Sequence, residues 1–192
     1  MEQRDVRGDA VMTRIGQAIM LLHAGDREEA RNRFGTIWSE IGEYGDDLHR
    51  CTLAHYMADT QDDPGDELAW DLRALTAAEG LAERPAGDHR HDGRDRCDGH
   101  DRCDECRRGD ACGAHGASSE RPDASAVRTF LPSLHLNLAA DYLKLQRFEA
   151  ARLHLDRAWD AVGVLEDDGY GDRVRTAIGR MEQRMRGSAA GP

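Results

Sequence analysis

The sequence predicts an all-α fold of about three helix–turn–helix hairpins and a C-terminal capping helix, interrupted by a disordered insert. Outside the insert, apolar residues recur every three or four positions, beginning with Val11, Ile15 and Ala18. Val, Ile, Tyr and Phe nowhere alternate with a period of two over the length of a strand. Residues 84–123 contain no Val, Ile, Leu, Met, Phe, Tyr or Trp, so this segment has no side chain able to build a core.

The first two helices are separated by a recognisable turn. The first runs from about residue 11 to residue 22 and ends at Gly25, the residue type best suited to the left-handed conformation that follows many helices. Asp26 and Glu29 then have the spacing of a capping box, with Asp in place of Ser or Thr. The second helix carries an apolar stripe and is broken by two glycines: Ala30, Phe34, Ile37, Trp38 and Ile41, then Gly42 and Gly45.

A second pair of helices follows the glycines. The third helix begins near Asp47 and stops before the polar segment 62–65. Asp63 is suited to cap the fourth helix, and Pro64 suits its first position, where a missing N–H does no harm. The fourth helix extends to about Leu81.

Three helices are predicted after the insert. The first spans about residues 124–146, with Pro132 as a kink or boundary because proline lacks the backbone donor that a helix interior uses. The next two span about residues 147–164 and 171–185. Segments 8–83 and 124–186 are expected to form one domain around the insert at 84–123.

Composition excludes several classes of function. The net charge is −11, which disfavours binding to the phosphates of nucleic acid. No stretch approaches the ~18 apolar residues of a membrane span, and the N-terminus lacks the apolar region of a signal peptide, so a cytoplasmic location is expected. Lys144 is the only lysine among many arginines, which suggests a bacterial, actinobacterial-like source with a GC-rich genome.

One hairpin carries a motif typical of a repeat family. The motif places small residues where two helices cross and large ones beside them: Leu138, Ala139, Tyr142, Phe148, Ala151, Leu155 and Ala158. It resembles the tetratricopeptide repeat. A weaker unit has Ala18, Leu21, Ala30, Phe34 and Ile37 at matching offsets, with Gln17 where the family has Leu. A middle unit around Leu53-Ala54 has a longer turn, which leaves the register of its second helix open.

The insert contains candidate metal ligands. Four of the five cysteines lie there, namely Cys97, Cys103, Cys106 and Cys112. Cys103 and Cys106 have the two-residue spacing that chelates zinc, but a zinc ribbon would show a second such pair. The favoured interpretation is a tolerated insert without a cofactor. A zinc-responsive or redox-responsive regulator is the alternative function.

A second cluster lies on the third helix. Cys51, His55 and Asp59 are spaced by four and share one helical face, as a nucleophile, a base and an orienting carboxylate would. However, one straight helix places its alternate members over ~10 Å apart. We therefore expect no enzyme here, and an all-helical enzyme is the least favoured alternative.

The expected function is protein or peptide binding, as an adaptor or interaction module. The resemblance implies a groove lined by the first helix of each hairpin, and Asn137 occupies the position at which the family often contacts a peptide backbone. The predicted partner-binding residues are His55, Asp59, Asn137 and Asp141. The carboxylates favour a basic partner. The residues that bind a terminal carboxylate in the family are not matched, because Leu136 and Ala140 stand there.

Overall fold

The computed structural model describes residues 2–42, 45–83 and 122–189, with side chains over 10–42, 45–81 and 128–187. Within these ranges the chain is all-α, as predicted, with seven helices: α1 (Glu2–His23), α2 (Arg27–Ile41), α3 (Asp47–Ala58), α4 (Pro64–Glu83), α5 (Pro122–Lys144), α6 (Phe148–Ala161) and α7 (Gly169–Ala189). A short 3-10 helix, Val162–Val164, follows α6. Residues 84–121, most of the predicted insert, lie outside the described ranges.

The helices form two layers. Three antiparallel hairpins, α1–α2, α3–α4 and α5–α6, are followed by the unpaired α7. The first helices adjoin one another in the order α1, α3, α5, α7. Each second helix packs against its own first helix and against the first helix of the next hairpin. This arrangement is that of a helical repeat, and α7 stands where a fourth hairpin would begin.

The first and third hairpins have the same turn. Gly25 and Gln146 both adopt positive φ, at 92° and 56°. In each turn two successive N–H groups donate back to the first helix: Gly25 to Leu22 at 3.1 Å, Asp26 to Leu21 at 3.0 Å, Gln146 to Leu143 at 3.0 Å and Arg147 to Tyr142 at 2.8 Å. These bonds satisfy carbonyl groups that the end of a helix leaves without partners.

The second hairpin has a longer turn, as predicted. Residues 59–63 separate α3 from α4, whereas 24–26 and 145–147 suffice in the other two hairpins. The Asp63 carboxylate accepts from the N–H groups of Gly65 at 2.7 Å and Asp66 at 3.2 Å, so the predicted cap is present. In the first hairpin the Asp26 carboxylate caps Glu29 N–H at 3.4 Å. The capping box is half formed, since Glu29 bonds Arg33 instead.

Two helices are longer than their apolar patterns indicated. Helix α1 begins at Glu2, before the apolar stripe that starts at Val11. Helix α5 begins at Pro122 and continues through Pro132, which is not a boundary. Pro132 is fully buried, and we attribute the continuity of α5 to its packing in the core, which compensates for the missing backbone donor.

The core lies between the two layers. Alanines occupy the helix crossings, and Ala18, Ala30, Ala139 and Ala151 are all fully buried. Larger side chains, such as Phe34 in the first hairpin, fill the space beside them. No helix in the described ranges is both long and apolar enough to cross a membrane.

Candidate functional site

Two buried carboxyl groups meet where α3, α4 and α5 join. Asp71 of α4 and Asp141 of α5 are each only 1% exposed. Lys144 lies at the edge of this pair, with its Nζ at 2.6 Å from both Glu67 carboxylate oxygens and at 3.2 Å from Asp141 Oδ1. Asp71 Oδ1 and Asp141 Oδ2 make no hydrogen bond among the described residues.

The pair holds a proton that isolated carboxyl groups would lose. Burial raises the pKa of Asp141 to about 8, and the charge of Asp71 and a hydrogen bond with its side chain add to the rise. Lys144 opposes this effect without reversing it. Burial lowers the pKa of Lys144 itself, but its hydrogen bond to Glu67 and the charge of Asp141 outweigh that and leave the pKa raised. At neutral pH the Asp141 carboxyl therefore retains its proton.

Above the acid pair, α3 and α5 touch through two of the predicted residues. Asn137 Nδ2 lies 3.4 Å from His55 Nδ1 and donates to it when that nitrogen carries no proton. His55 Nδ1 also lies 3.6 Å from Asp71 Oδ1. The His55 side chain is 15% exposed. The first helices therefore bring an imidazole and an amide into contact at a partly exposed position.

The same face continues onto α7. Ser133 of α5 and Tyr170 of α7 bring their hydroxyl groups to 2.7 Å. Burial raises the pKa of Tyr56 on α3, and the charges of Asp59 and Tyr170 raise it further. Tyr170 and Asp59 are exposed. We call the surface formed by His55, Tyr56, Asp59, Ser133, Asn137 and Tyr170 the first-helix groove.

The four predicted partner-binding residues take three different positions. His55 and Asn137 are half-buried and in contact. Asp59 is exposed at the end of α3. Asp141 is buried beneath the surface, so in this conformation it contributes to the groove through its contacts with neighbouring side chains.

Cys51 lacks the properties of a nucleophile. Its side chain is 1% exposed, in an apolar cluster with Ala54 and Ala74. Burial raises the pKa of the thiol to about 12, and the charges of Asp71 and Asp47 contribute. Because the thiolate is the reactive form, Cys51 is poorly suited to nucleophilic chemistry.

A histidine pair lies on the other side of α5. His135 and His154 are both buried, with their Nδ1 atoms 3.2 Å apart, and Tyr142 stacks on His154. Burial lowers the pKa of His135 to about 4, and the charges of His154 and Arg157 contribute. Burial and Arg157 also lower the pKa of His154. The pair is therefore neutral at pH 7 and belongs to the α5–α6 packing.

The candidate zinc ligands Cys97, Cys103, Cys106 and Cys112 lie outside the described residues. Within the part of the chain that the structure describes, no three or more His, Cys, Asp or Glu side chains form a group that could hold a metal ion.

Sequence reasoning missed several residues of the site, namely Tyr56, Glu67, Asp71, Lys144 and Tyr170. Asp71 has a local signal, since it is a single carboxylate inside the apolar run Leu68-Ala69-Trp70-Asp71-Leu72. A charged residue at such a position needs a partner when it is buried. Tyr56 and Tyr170 have no comparable signal, because their places in the site depend on how α3, α5 and α7 pack.

Comparison with known proteins adds no family to this description: no protein-family model, no curated protein and no solved structure matches the chain.

Proposed function

We propose that this protein is an interaction module of the tetratricopeptide type that binds a peptide or protein segment in the first-helix groove. The observation that carries the proposal is the contact between His55 of α3 and Asn137 of α5. It joins two hairpins at the surface and leaves polar atoms of both side chains available.

The chemistry of these side chains suits an extended backbone. An Asn amide can both donate and accept, so it can pair with a peptide bond regardless of the flanking side chains. The hydroxyl groups of Tyr56 and Tyr170 add further polar atoms, while their rings offer apolar area.

A basic ligand is favoured. Asp59 is exposed at the end of α3, beside the groove. The whole chain carries a net charge of −11, which attracts cationic partners over a range set by the ionic strength.

Both alternative functions have less support. The enzyme hypothesis depends on Cys51, which is buried and has a raised pKa. The metal-responsive or redox-responsive regulator depends on cysteines that lie outside the described residues.

The test is selection of peptides from a displayed random library against the full chain, followed by titration of each selected peptide. We expect sequences enriched in Arg and Lys, whose affinity falls at least about tenfold with Asn137→Ala and again with His55→Ala. Asp59→Asn should weaken basic peptides more than neutral ones.

Asn32→Ala is the matched control, because Asn32 is an exposed Asn on the second-layer helix α2. It should leave affinity unchanged. Equal affinities for wild type, Asn137→Ala and His55→Ala, with the fold intact by circular dichroism, would overturn the proposal.

A further inference from the structure

A cleft of about 550 Å³ lies between α6 and α7, at the end of the repeat array. Its apolar lining comes from Phe148, Leu155, Trp159 and Met185. Phe148 and Trp159 are 47% and 43% exposed, which is unusual for large aromatic side chains. Arg152 also lines the cleft and makes no ion pair or hydrogen bond among the described residues.

The position of this cleft in the array can be read from the first hairpin. Residues of α2 and α6 correspond at a constant separation of 121 residues: Ala30 with Ala151, Arg31 with Arg152, Phe34 with Leu155, and Trp38 with Trp159. The correspondence is structural as well, since the turns that precede α2 and α6 share their positive φ and their backbone hydrogen bonds.

In the first hairpin, the face that carries Trp38 is covered by α4. The rings of Trp38 and Trp70 meet edge to face, with centroids 5.0 Å apart. Arg31 donates to the carbonyl of Thr60 and to the carboxylate of Asp62, at 2.9 Å for the latter, in the turn that leads into α4. The face of α2 that carries Trp38 therefore contacts α4, which has Trp70 within it and the acidic Asp62 in the turn before it.

In the third hairpin, the corresponding face has no such cover in the described chain. Helix α7 packs against α5 and α6 as α3 packs against α1 and α2. Both α3 and α7 are capped by an aspartate, Asp46 and Asp168, whose carboxylate accepts from the N–H groups two and three residues later. Among the residues that the structure describes, no helix contacts Trp159 as α4 contacts Trp38.

We propose that the α6–α7 cleft is a docking site for an amphipathic α-helix of a partner protein, chemically similar to α4. The partner helix places an aromatic side chain against Trp159. An acidic residue in the turn before the helix pairs with Arg152, as Asp62 pairs with Arg31. This site is separate from the first-helix groove and does not depend on the function proposed for that groove.

One difference between the two faces predicts specificity. Arg27, which bonds Asp62 at 2.5 Å in the first hairpin, corresponds to Phe148 in the third. The partner therefore places an apolar residue against Phe148, near the N-terminus of its helix. At the corresponding place in the first hairpin, Asp62 before α4 contacts Arg27. The exposed face of α7 is polar, so α6 and Met185 supply most of the apolar contact.

The probe is a fluorescein-labelled peptide of residues 60–78 of this chain, held helical by a hydrocarbon staple on the face opposite Trp70. It is titrated into the full-length protein by fluorescence anisotropy. We expect saturable binding that weakens at least about tenfold with Trp159→Ala in the protein or Trp70→Ala in the peptide.

A double-mutant cycle tests the proposed ion pair. Arg152→Gln in the protein and Asp62→Asn in the peptide should each weaken binding, and the two together should cost little more than either alone. Leu153→Ala is the matched control, since Leu153 is 50% exposed on α6 and does not line the cleft. It should leave binding unchanged.

Three results would overturn the proposal. The first is an absence of saturable binding up to about 1 mM peptide, an affinity too weak for specific docking. The second is binding that Trp159→Ala does not weaken, which would place the peptide elsewhere. The third is dimerisation of the wild-type chain in analytical ultracentrifugation that Trp159→Ala abolishes, which would make a second copy the occupant.

Discussion

Asp71 and Asp141, from helices on either side of the insert, are both buried in the protein interior, and Asp71 helps to raise the pKa of Asp141 to about 8. Burial is the larger cause of that rise, and the Asp141 carboxyl therefore retains its proton at neutral pH. Lys144, the only lysine of the chain, bonds Asp141 and Glu67 and closes the edge of the pair. The junction of α3, α4 and α5, directly below the first-helix groove, therefore responds to protonation.

The first prediction is that Asp141 makes stability fall as pH rises from about 4 to 8. The pKa of Asp141 is raised in the folded state, so the folded protein holds a proton that the unfolded chain has already lost above about pH 4. That contribution is complete below the unfolded pKa and disappears as pH rises through about 8. The slope from this group is at most about 1.4 kcal/mol per pH unit in this window.

Asp141→Asn should flatten this slope in urea-unfolding experiments, because the amide retains a donor for Asp71 but does not titrate. Asp156→Asn, on an exposed carboxylate of α6, is the control and should keep the wild-type slope. An equal slope in Asp141→Asn and wild type would show that another group controls it.

The second prediction concerns the acid limb. The pKa of His135 is lowered to about 4 in the folded state, so the unfolded chain binds the proton first as pH falls. The contribution of His135 to stability is complete above the unfolded pKa of about 6.5 and is lost between about 6.5 and 4, where the stabilising protonation of Asp141 opposes it. The loss should be on the order of 2 kcal/mol.

His135→Gln should reduce this acid-dependent loss, because a glutamine amide can still bond His154 without titrating. His23→Gln, at the exposed end of α1, should leave the loss unchanged. If melting temperatures of wild type and His135→Gln fall in parallel from pH 7 to pH 4.5, the histidine pair is not the source.

The third prediction is that Ala151→Leu destabilises the protein by about 1–3 kcal/mol. Ala151 is fully buried on α6, which packs against α5, so added methyl groups have no space. Ala150→Leu is the matched control on the next, half-exposed position, and it should change stability by less than about 0.5 kcal/mol. Urea unfolding measures both, and an unchanged Ala151→Leu would contradict the assigned crossing.

Local sequence spacing predicted the hairpins well, whereas it predicted only part of the site. The turn at Gly25, the cap at Asp63 and the small residues at Ala30 and Ala151 depend on contacts within a few residues or within one hairpin. These features follow from helical periodicity and capping chemistry. Helix limits were less accurate at Pro132, because tertiary packing outweighs the local cost of proline there.

The site depends on contacts between hairpins, which periodicity does not encode. The pattern placed His55 and Asn137 on first helices, but it gave no reason to bring Asp71 of a second helix beneath them. Asp71 comes together with His55 and Asn137 only because α4 packs against α5. These two helices are separated in the sequence by the insert. The α6–α7 cleft beside Trp159 is likewise not predicted by local spacing. It is recognised by comparison with Trp38, whose ring contacts Trp70 of α4.

The last prediction tests the equivalence of the two turns directly. Gln146 adopts φ 56°, a left-handed conformation that costs a side-chain-bearing residue roughly 1–2 kcal/mol, whereas Gly25 adopts φ 92° in the matching turn without that cost. Gln146→Gly should therefore stabilise the protein by about 0.5–1 kcal/mol, after the greater freedom of glycine in the unfolded chain is allowed for. Gly25→Gln should destabilise it by about 1 kcal/mol through backbone strain alone, since no atom lies within 4 Å of an added Cβ. Gln183→Gly, at an exposed position inside α7, is the matched control and should destabilise by about 1 kcal/mol because it lowers helix propensity. Urea unfolding of the three variants gives the signs, and a destabilised Gln146→Gly would show that the third hairpin does not use the turn of the first in solution.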